Sequence, residues 1–223
     1  MKIIVTGSKG LIGTEVTRYL RERHKVSEYD LGFGHNFMDE SLTKDIFVHD
    51  KADALVNLFA MNDHVGEGRE GSGLMDVPLE SLASYFAINL TGLFSVCREY
   101  ARNNTTGAIV NFSSTLGLGS PLPHLYPDSE KHIGYGVSKA GVIQMTKHLA
   151  VHLAPRIRVN CIAPGGVRFK QGEEFIKAYS EAVPIGRMME VHELNKMVEF
   201  LCSEDSSYVT GAVFNCDGGW TSW

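Results

Sequence analysis

Short apolar runs rich in β-branched residues recur along the chain, and segments of helical length separate them. Runs of this kind are typical of strands buried inside a sheet. They lie at residues 3–6, 26–29, 54–59, 108–113, 158–163 and 212–216. Strands that alternate with helices predict a parallel β-sheet covered by helices, as in doubly wound α/β folds.

The segments between these runs carry the apolar spacing of amphipathic helices. We predict helices at residues 11–23, 41–48, 79–102, 135–153 and 190–201. Pro155 should stop the fourth of them, because proline cannot continue a helix. Segments rich in glycine, proline and polar residues at 63–76, 115–134 and 166–186 predict loops, and the last two are expected to border a substrate.

The interval after the second strand is too short for a regular crossover. Only residues 31–35 precede a brief extended piece expected around Asn36 and Phe37, unless that strand is reached by a tight loop. A parallel crossover normally needs about a dozen residues or more. The sequence therefore predicts one α/β domain over residues 1–223, a Rossmann-type doubly wound parallel sheet whose second crossover helix is shortened or absent.

Composition and charge narrow the class of partner. The chain has 223 residues, 43% hydrophobic and 21% charged, which is enough to fill one core. A net charge of -5 disfavours nucleic acid and membrane surfaces and favours a small-molecule substrate. The first residues enter a strand directly, with no room for a signal peptide, and no apolar segment approaches the roughly 20 residues of a membrane span. We expect a cytoplasmic protein.

Cysteine and histidine spacing indicates neither disulfides nor a metal. Four cysteines stand far apart with no CxxC pair, and three lie in apolar runs, so we expect buried free thiols. His148 and His152 are four residues apart on one predicted helix and could bind a metal. No third ligand accompanies them, so we predict no metal site.

A glycine-rich turn follows the first strand and opens the first helix. Such a turn points backbone N–H groups and the positive end of the helix dipole at one place, which suits a pyrophosphate. A purely structural tight turn is the alternative. The expected phosphate-binding residues are Gly7, Ser8, Lys9, Gly10, Leu11, Ile12 and Gly13.

An aspartate ends the second strand. Asp30 stands where a carboxylate can accept hydrogen bonds from both hydroxyls of an adenosine ribose, and it would repel a 2′-phosphate. We therefore predict NAD rather than NADP as cofactor. In the alternative interpretation, Asp30 only caps a turn before Gly32.

Tyr135 and Lys139 are four residues apart and therefore share one helix face. A neighbouring cation favours the phenolate, so Lys139 is expected to bring the pKa of Tyr135 towards the working pH. The pair would then serve as a general acid or base. Taken alone, this spacing is common in amphipathic helices.

Five groups of residues occur in order along almost the whole chain. They are Thr6-Gly7 with Gly10 and Gly13, Asn111-Phe112-Ser113-Ser114, Tyr135 with Lys139, Arg158-Val159-Asn160 with Pro164-Gly165, and Asp217-Gly218-Gly219. Together they resemble the short-chain dehydrogenase/reductase family. The resemblance implies an NAD-dependent oxidoreductase that interconverts a secondary alcohol and a ketone by hydride transfer.

The resemblance also assigns roles to individual residues. Ser114, with Ser113 as the fallback, would bind the substrate oxygen, while Tyr135 exchanges a proton with it. Asn89 would hold a water next to Lys139, which also bonds the nicotinamide ribose. The remaining cofactor contacts would come from the ends of other strands. They are Asn36, Asn57, Phe59, Ala60, Pro164, Gly165 and Val167.

Several positions depart from the family pattern. Residues 57–60 read Asn-Leu-Phe-Ala where Asn-Asn-Ala-Gly is common, and Phe169 replaces a threonine. The glycine spacing and the predicted lack of a second crossover helix resemble the extended branch of this family more than its classical branch. A proline-rich insert at 121–128, with residues 169–174 and 217–221, is similar to reductases of flagellin-modification and nonulosonate pathways, which implies a sugar or sugar-nucleotide substrate.

Two other functions remain open on the sequence. One is a redox-sensing interaction protein that binds the dinucleotide without turnover, and the altered stretch at 57–60 is its best support. The other is an epimerase or dehydratase that retains its NAD.

The helix predicted at 135–153 is apolar on nearly all faces, so one face should contact another subunit. The resemblance implies a homodimer or homotetramer. Trp220 and Trp223 suit a second interface, although a terminal tryptophan can also fold back onto its own subunit.

Overall fold

One parallel sheet forms the centre of the molecule. The computed structural model describes residues 1–62, 73–127 and 130–223. Six strands lie in the order β2-β1-β3-β4-β5-β6, which confirms the predicted fold class. Their bounds are β1 Lys2–Thr6, β2 Lys25–Tyr29, β3 Ala54–Asn57, β4 Gly107–Phe112, β5 Ile157–Pro164 and β6 Val213–Cys216.

Helices connect the strands and cover both faces of the sheet. They are α1 Leu11–Arg21, α2 Glu40–His49, α3 Leu79–Phe86, α4 Leu93–Asn103, α5 Ile133–Leu153, α6 Glu173–Ala182 and α7 Asn195–Cys202. A π-helical turn at Ala87–Gly92 joins α3 to α4, so the single helix predicted at 79–102 is interrupted. The segment 166–186, predicted as a loop, contains α6.

The prediction of a strand around Asn36 and Phe37 was wrong. A 3-10 turn at Leu31–Phe33 follows β2, and the Asn36 side chain then accepts a hydrogen bond from the backbone N–H of Met38. Asp39 caps α2 by accepting from the N–H groups of Ser41 and Leu42. The chain therefore turns into a helix here, and α2 is the crossover from β2 to β3.

Alternating strand residues feed two cores, one on each face of the sheet. Ile4, Leu55 and Ile109 pack with side chains of α2, α4 and α5. Their strand neighbours Ile3 and Val5 point to the other face and pack with α1 and α7. This alternation follows from the two-residue repeat of a strand, and helices on both faces make the fold doubly wound.

A row of buried polar side chains crosses the sheet where β1, β3 and β4 end. The Thr6 hydroxyl donates to Asn57 Oδ1 (2.9 Å), and the Asn57 amide donates to Asn111 Oδ1 (2.9 Å). Asn111 in turn donates to the hydroxyl of Thr146 on α5 (3.1 Å). Because strand register aligns the first three residues, the row ties the sheet to the helix below the site.

The sequence also made predictions about the cysteines, membrane-spanning helices and a metal site. All four thiols are free, and Cys97, Cys161 and Cys202 are buried. Within residues 1–62, 73–127 and 130–223, no helix combines the length and apolar character needed to cross a membrane. The same residues bring no three histidine, cysteine or acidic side chains together as a metal-binding group.

Candidate active site

The carboxyl ends of the strands form the candidate site. The chain leaves β1 for β2 on one side and later reaches β3 on the other side, so a crevice opens beyond β1. Ligands of doubly wound sheets bind at such switch points. The predicted glycine turn and the ends of β3, β4 and β5 all meet this edge.

Close backbone packing explains two glycines of the turn after β1. Gly7 has φ +74°, and a Cβ there would lie 2.3 Å from the backbone nitrogen of Phe59. A Cβ on Gly13 would lie 2.0 Å from the carbonyl oxygen of Gly7, whereas one on Gly10 would meet only ordinary contact at 3.4 Å. Gly7 and Gly13 therefore hold strand, turn and helix together.

The same turn offers unpaired donors to a ligand. Gly10 precedes α1 without a side-chain cap, so the first N–H groups of this helix have no side-chain acceptor there. The Ser8 hydroxyl is buried, with 1% exposure of the residue, and has no hydrogen-bond partner within the described chain. Buried hydroxyls are normally paired, so this turn fits an anionic group such as a phosphate.

Asp30 is held by the backbone on both sides of its carboxylate. Oδ2 accepts from the N–H of Lys9 (3.0 Å), and Oδ1 accepts from the N–H of Gly32 (2.7 Å). The aspartate thus caps the turn after β2, as the alternative interpretation held, and also joins it to the glycine turn. The Lys9 ammonium lies 4.4 Å from the Phe33 ring centroid, so a cation stands at the same corner.

The other residues expected on the adenosine side differ in exposure. The Asn57 side chain is 2% exposed and belongs to the buried row, while Asn36 and Ala60 are exposed. Phe59 is half-buried, with its ring centroid 4.9 Å from that of Phe37.

Of the two serines after β4, Ser114 is the one that approaches the tyrosine. Its side chain is close enough to lower the pKa of Tyr135, and it accepts a hydrogen bond from the N–H of Leu116 (3.2 Å). The Ser113 hydroxyl instead donates to the carbonyl oxygen of Lys139 (2.7 Å) and is buried. The structure therefore brings Ser114 to Tyr135 and uses Ser113 to attach β4 to α5.

Burial governs the proton affinity of both α5 side chains. It raises the pKa of Tyr135 to about 12, and the nearby Ser114 side chain acts in the opposite direction. It lowers the pKa of Lys139 to about 8. The Lys139 ammonium donates to the carbonyl oxygen of Phe112 (2.8 Å) and lies 5.7 Å from the Tyr135 ring centroid. The expectation that Lys139 lowers the pKa of Tyr135 was therefore wrong for the chain alone, because desolvation of the phenol outweighs the distant charge.

Asn89 lies in the π-helical turn between α3 and α4, and its side-chain amide makes three hydrogen bonds. Its oxygen accepts from the N–H of Met61 (2.7 Å), and its nitrogen donates to the Met61 carbonyl (3.1 Å) and the Ser138 hydroxyl (2.9 Å). These bonds tie the segment after β3 to α5. Single π-helical turns often occur at functional sites.

The segment after β5 folds against the end of β6. Pro164 ends β5, and the N–H of Gly165 donates to the carbonyl oxygen of Cys216 (2.9 Å). Val167 pairs with Met189 in an isolated parallel bridge. Phe169, in the position where the family often has threonine, is 52% exposed.

The proline-rich insert and α6 form a small third core beside the site. Its buried members include Leu125 and Tyr179. Tyr126 packs near Phe175, and Tyr179 stacks on Trp220 with 4.7 Å between ring centroids. Trp220 thus folds back onto its own chain. Residues 63–72 of the loop at 63–76, and Asp128 and Ser129, lie outside the described residues.

Side chains before α5 also approach Tyr135. Tyr85 and Tyr126 are close enough to raise its pKa further, and the Lys131 ammonium lies 4.9 Å from its ring centroid. The insert pattern drew attention to Tyr126, but no sequence signal singled out Tyr85 or Lys131.

The exposed face of α5 remains available to a partner. Val137 and Val151 are 47% and 77% exposed, and the His148 and His152 rings lie beside each other at 4.4 Å between centroids. Trp223 at the chain end is 80% exposed.

Comparisons with known proteins place this geometry among enzymes. A family model described as enoyl-(acyl carrier protein) reductase matches residues 39–221. The chain is 31% identical over 230 residues to a 3-oxoacyl-(acyl-carrier-protein) reductase of Aquifex aeolicus, covering 97% of the chain and 86% of that protein.

Two further relatives extend the comparison. Over 170 residues the chain is 38% identical to an uncharacterized short-chain type dehydrogenase/reductase of Sinorhizobium fredii, covering 72% of the chain and 29% of the relative. The chain thus spans less than a third of that protein. A crystal structure of a short-chain dehydrogenase of Leptospira borgpetersenii with bound NAD+ has a TM-score of 0.86 and 29% identity, covering 99% of this chain and 92% of the other.

Proposed function

The chain belongs to the short-chain dehydrogenase/reductase family of oxidoreductases, and we propose that it uses NAD to interconvert a secondary alcohol and a ketone. One observation carries the proposal. The Ser114 side chain approaches Tyr135 closely enough to lower its pKa, at the carboxyl end of the sheet and next to the buried ammonium of Lys139. A carbonyl oxygen placed between two hydroxyl donors is both polarised and supplied with a proton.

The residues at the sheet edge fit a dinucleotide. The glycine turn and the unpaired Ser8 hydroxyl would hold the pyrophosphate, and Asp30 would face the adenosine ribose. The segment from Pro164 to Val167 would border the nicotinamide. When bound, the dinucleotide supplies or accepts the hydride, and its oxidised ring carries a positive charge.

Tyr135 handles the proton. Because burial holds its pKa at about 12, the phenol is protonated at neutral pH, the form that donates to a developing alkoxide. Ser114 donates a second hydrogen bond to that oxygen. Lys139 provides a cation at the same place, whose charge favours the phenolate left after donation. Each role reverses when an alcohol is oxidised.

Asn89 serves this site as a tether and a relay. Its side-chain bonds hold the segment after β3 against α5, and its π-helical turn lies next to the helix that carries Lys139. We assign it the water that would connect Lys139 to solvent.

The proposed preference for NAD depends on Asp30. Its carboxylate is placed by two backbone donors and remains partly exposed at the end of β2. A 2′-phosphate there would meet a fixed negative charge. The nearby Lys9 ammonium would attract such a phosphate. We expect the hydrogen bonds between the ribose and the Asp30 carboxylate to outweigh this attraction, so that NAD is preferred.

We further propose a polyhydroxylated substrate of the sugar or sugar-nucleotide class. The half-buried aromatic rings of Tyr126, Phe175 and Trp220 beside the site support this class, because flat aromatic faces with polar edges suit molecules with both C–H and O–H faces. We also propose a cytoplasmic protein that forms a homodimer or homotetramer. The exposed Val137 and Val151 on α5 support the oligomer, which light scattering would test.

A turnover assay tests the function. NADH absorbance is followed with ketoses, nucleotide sugars and nonulosonate precursors, for the wild type and Tyr135→Phe. We expect Tyr135→Phe to abolish turnover and to leave NAD binding within about twofold, because the phenol donates the proton and Lys139 remains. If the wild type binds NAD but reduces no ketone of the panel, the protein is a dinucleotide-binding module and the proposal is wrong.

A further inference from the structure

A second lysine stands at the site beside the one that the family motif identifies. Lys131 lies four residues before Tyr135, and its ammonium is 4.9 Å from the Tyr135 ring centroid, nearer than that of Lys139 at 5.7 Å. Lys139 is buried, whereas Lys131 is half-buried at the mouth of the site. The two ammonium groups therefore approach the same phenol from different depths.

Neighbouring contacts fix the position of Lys131. Its ammonium donates to Asn62 Oδ1 (2.5 Å), on the segment that follows β3. The next residue, His132, caps α5 by accepting from the N–H of Gly134 (3.0 Å) and stacks on the buried ring of Tyr85 at 4.5 Å. The backbone at Lys131 is thus anchored to α5 and α3, which keeps its side chain over Tyr135.

The placement of Lys131 brings charge rather than buried apolar surface to this position. A cation over an aromatic ring at a partly exposed site contributes little to folding, and Lys131 belongs to neither α5 nor a buried core. What the position does provide is a cation, with the Asn62 amide beside it, next to the phenol that binds the substrate oxygen. On a chain of net charge -5, a cation at the mouth of the site also favours the approach of anions.

We propose that Lys131 is a specificity-determining residue that binds an anionic substituent, carboxylate or phosphate, a few bonds from the carbonyl carbon of the substrate. With the carbonyl oxygen on Tyr135 and Ser114, a substituent on that side of the reacting carbon extends over the phenol ring towards the Lys131 ammonium. Asn62 adds amide N–H donors to the same group. The substrate class is then an acidic or phosphorylated keto compound. This inference rests on the proposed function.

Matched pairs of ketones test the proposal. Acetoacetate is compared with methyl acetoacetate, and dihydroxyacetone phosphate with dihydroxyacetone, so each pair differs in one negative charge. For the wild type we expect a higher kcat/KM for the anion of at least one pair, and the better pair distinguishes carboxylate from phosphate. Lys131→Met should lower kcat/KM for that anion about 10- to 100-fold, mainly through KM, because one charge-assisted hydrogen bond is lost.

The controls separate this role from others. Lys131→Arg should retain most of the preference, and Lys147→Met, which removes an exposed charge farther along α5, should leave it unchanged within about twofold. Equal losses for anion and neutral ketone in Lys131→Met would place the residue in proton transfer or folding and overturn the proposal. So would a wild type that shows no preference for either anion.

Binding gives a readout that does not depend on turnover. The dissociation constants of acetoacetate and dihydroxyacetone phosphate for the NAD-loaded protein are measured by calorimetry. Weaker binding of the preferred anion by Lys131→Met supports the anion site even if no ketone is reduced, in which case only the proposed reaction fails. Unchanged binding of both anions overturns the anion site even when neutral ketones are reduced.

Discussion

Replacing Lys139 by methionine should stabilise the fold while removing activity. The Lys139 side chain is 6% exposed, and burial lowers its pKa from 10.5 to about 8. The folded protein therefore carries a buried ammonium that it disfavours at neutral pH. Methionine fills a similar volume without a charge.

The magnitude follows from the pKa difference. A pKa difference of about 2.5 corresponds to about 3.5 kcal/mol of unfolding free energy, at about 1.4 kcal/mol per pKa unit. The variant also loses the hydrogen bond from Lys139 to the Phe112 carbonyl, which costs about 1 kcal/mol. We therefore expect Lys139→Met to raise the free energy of unfolding by about 2.5 kcal/mol at pH 7.

The sign of the pH dependence is specific to this mechanism. Between pH 8 and 10.5 the unfolded chain binds the lysine proton and the folded chain has released it, so wild-type stability rises with pH in this window. The advantage of the variant is full below pH 8 and should shrink by about 2 kcal/mol by pH 9.5. Taking the difference between variant and wild type removes the contributions of other titrating groups that the two proteins share.

Urea unfolding at pH 7 and 9.5 measures both quantities. Lys147→Met, an exposed lysine of the same helix, is the matched control and should change stability by less than about 0.5 kcal/mol. A variant that is less stable than the wild type at pH 7, or whose advantage is equal at both pH values, would refute the account of Lys139 as a desolvated cation. Turnover of Lys139→Met is expected to be lost under all conditions.

Five other substitutions separate roles that lie close together in the chain. Ser114→Ala should lower kcat about 100-fold, as expected for an oxyanion donor, whereas Ser113→Ala should keep most activity and lose about 1 kcal/mol of stability with its bond to Lys139; steady-state kinetics that show the reverse contradict the assignment. Asp30→Ala should raise the affinity for NADP relative to NAD in fluorescence titrations, and an unchanged ratio would remove the ribose role. Gly13→Ala should destabilise the fold by about 1–3 kcal/mol in urea unfolding, since its Cβ would lie 2.0 Å from the Gly7 carbonyl oxygen, while Gly10→Ala, whose Cβ would lie 3.4 Å from the same oxygen, should not.

Much of the fold could be predicted from local pattern. Two-residue and four-residue repeats located the six strands and the helices that became α1, α2, α5 and α7, because these repeats reflect which side of a strand or helix faces a core. The same local geometry placed Tyr135 and Lys139 on one helix face. The prediction of an extra strand at Asn36 and Phe37 was wrong because a turn held by the Asn36 side chain and the Asp39 cap lead into a helix there.

Packing between segments that are distant in the chain determines where the side chains of the site lie. Adjacent serines look equivalent in sequence, and only the approach of α5 to the end of β4 directs Ser114 to Tyr135 and Ser113 to the Lys139 carbonyl. Likewise, Lys131 belongs to no sequence motif. Only the folded structure shows that the segment before α5 places its ammonium over the Tyr135 ring.

The sequence by itself determined the six strands, the glycine turn and the placement of Tyr135 and Lys139 on one helix face, since each depends on spacing within one element or one turn. The tertiary structure alone decided the proton affinities of Tyr135 and Lys139. Burial sets both pKa values here, and burial is a property of the whole surrounding core that no local spacing records.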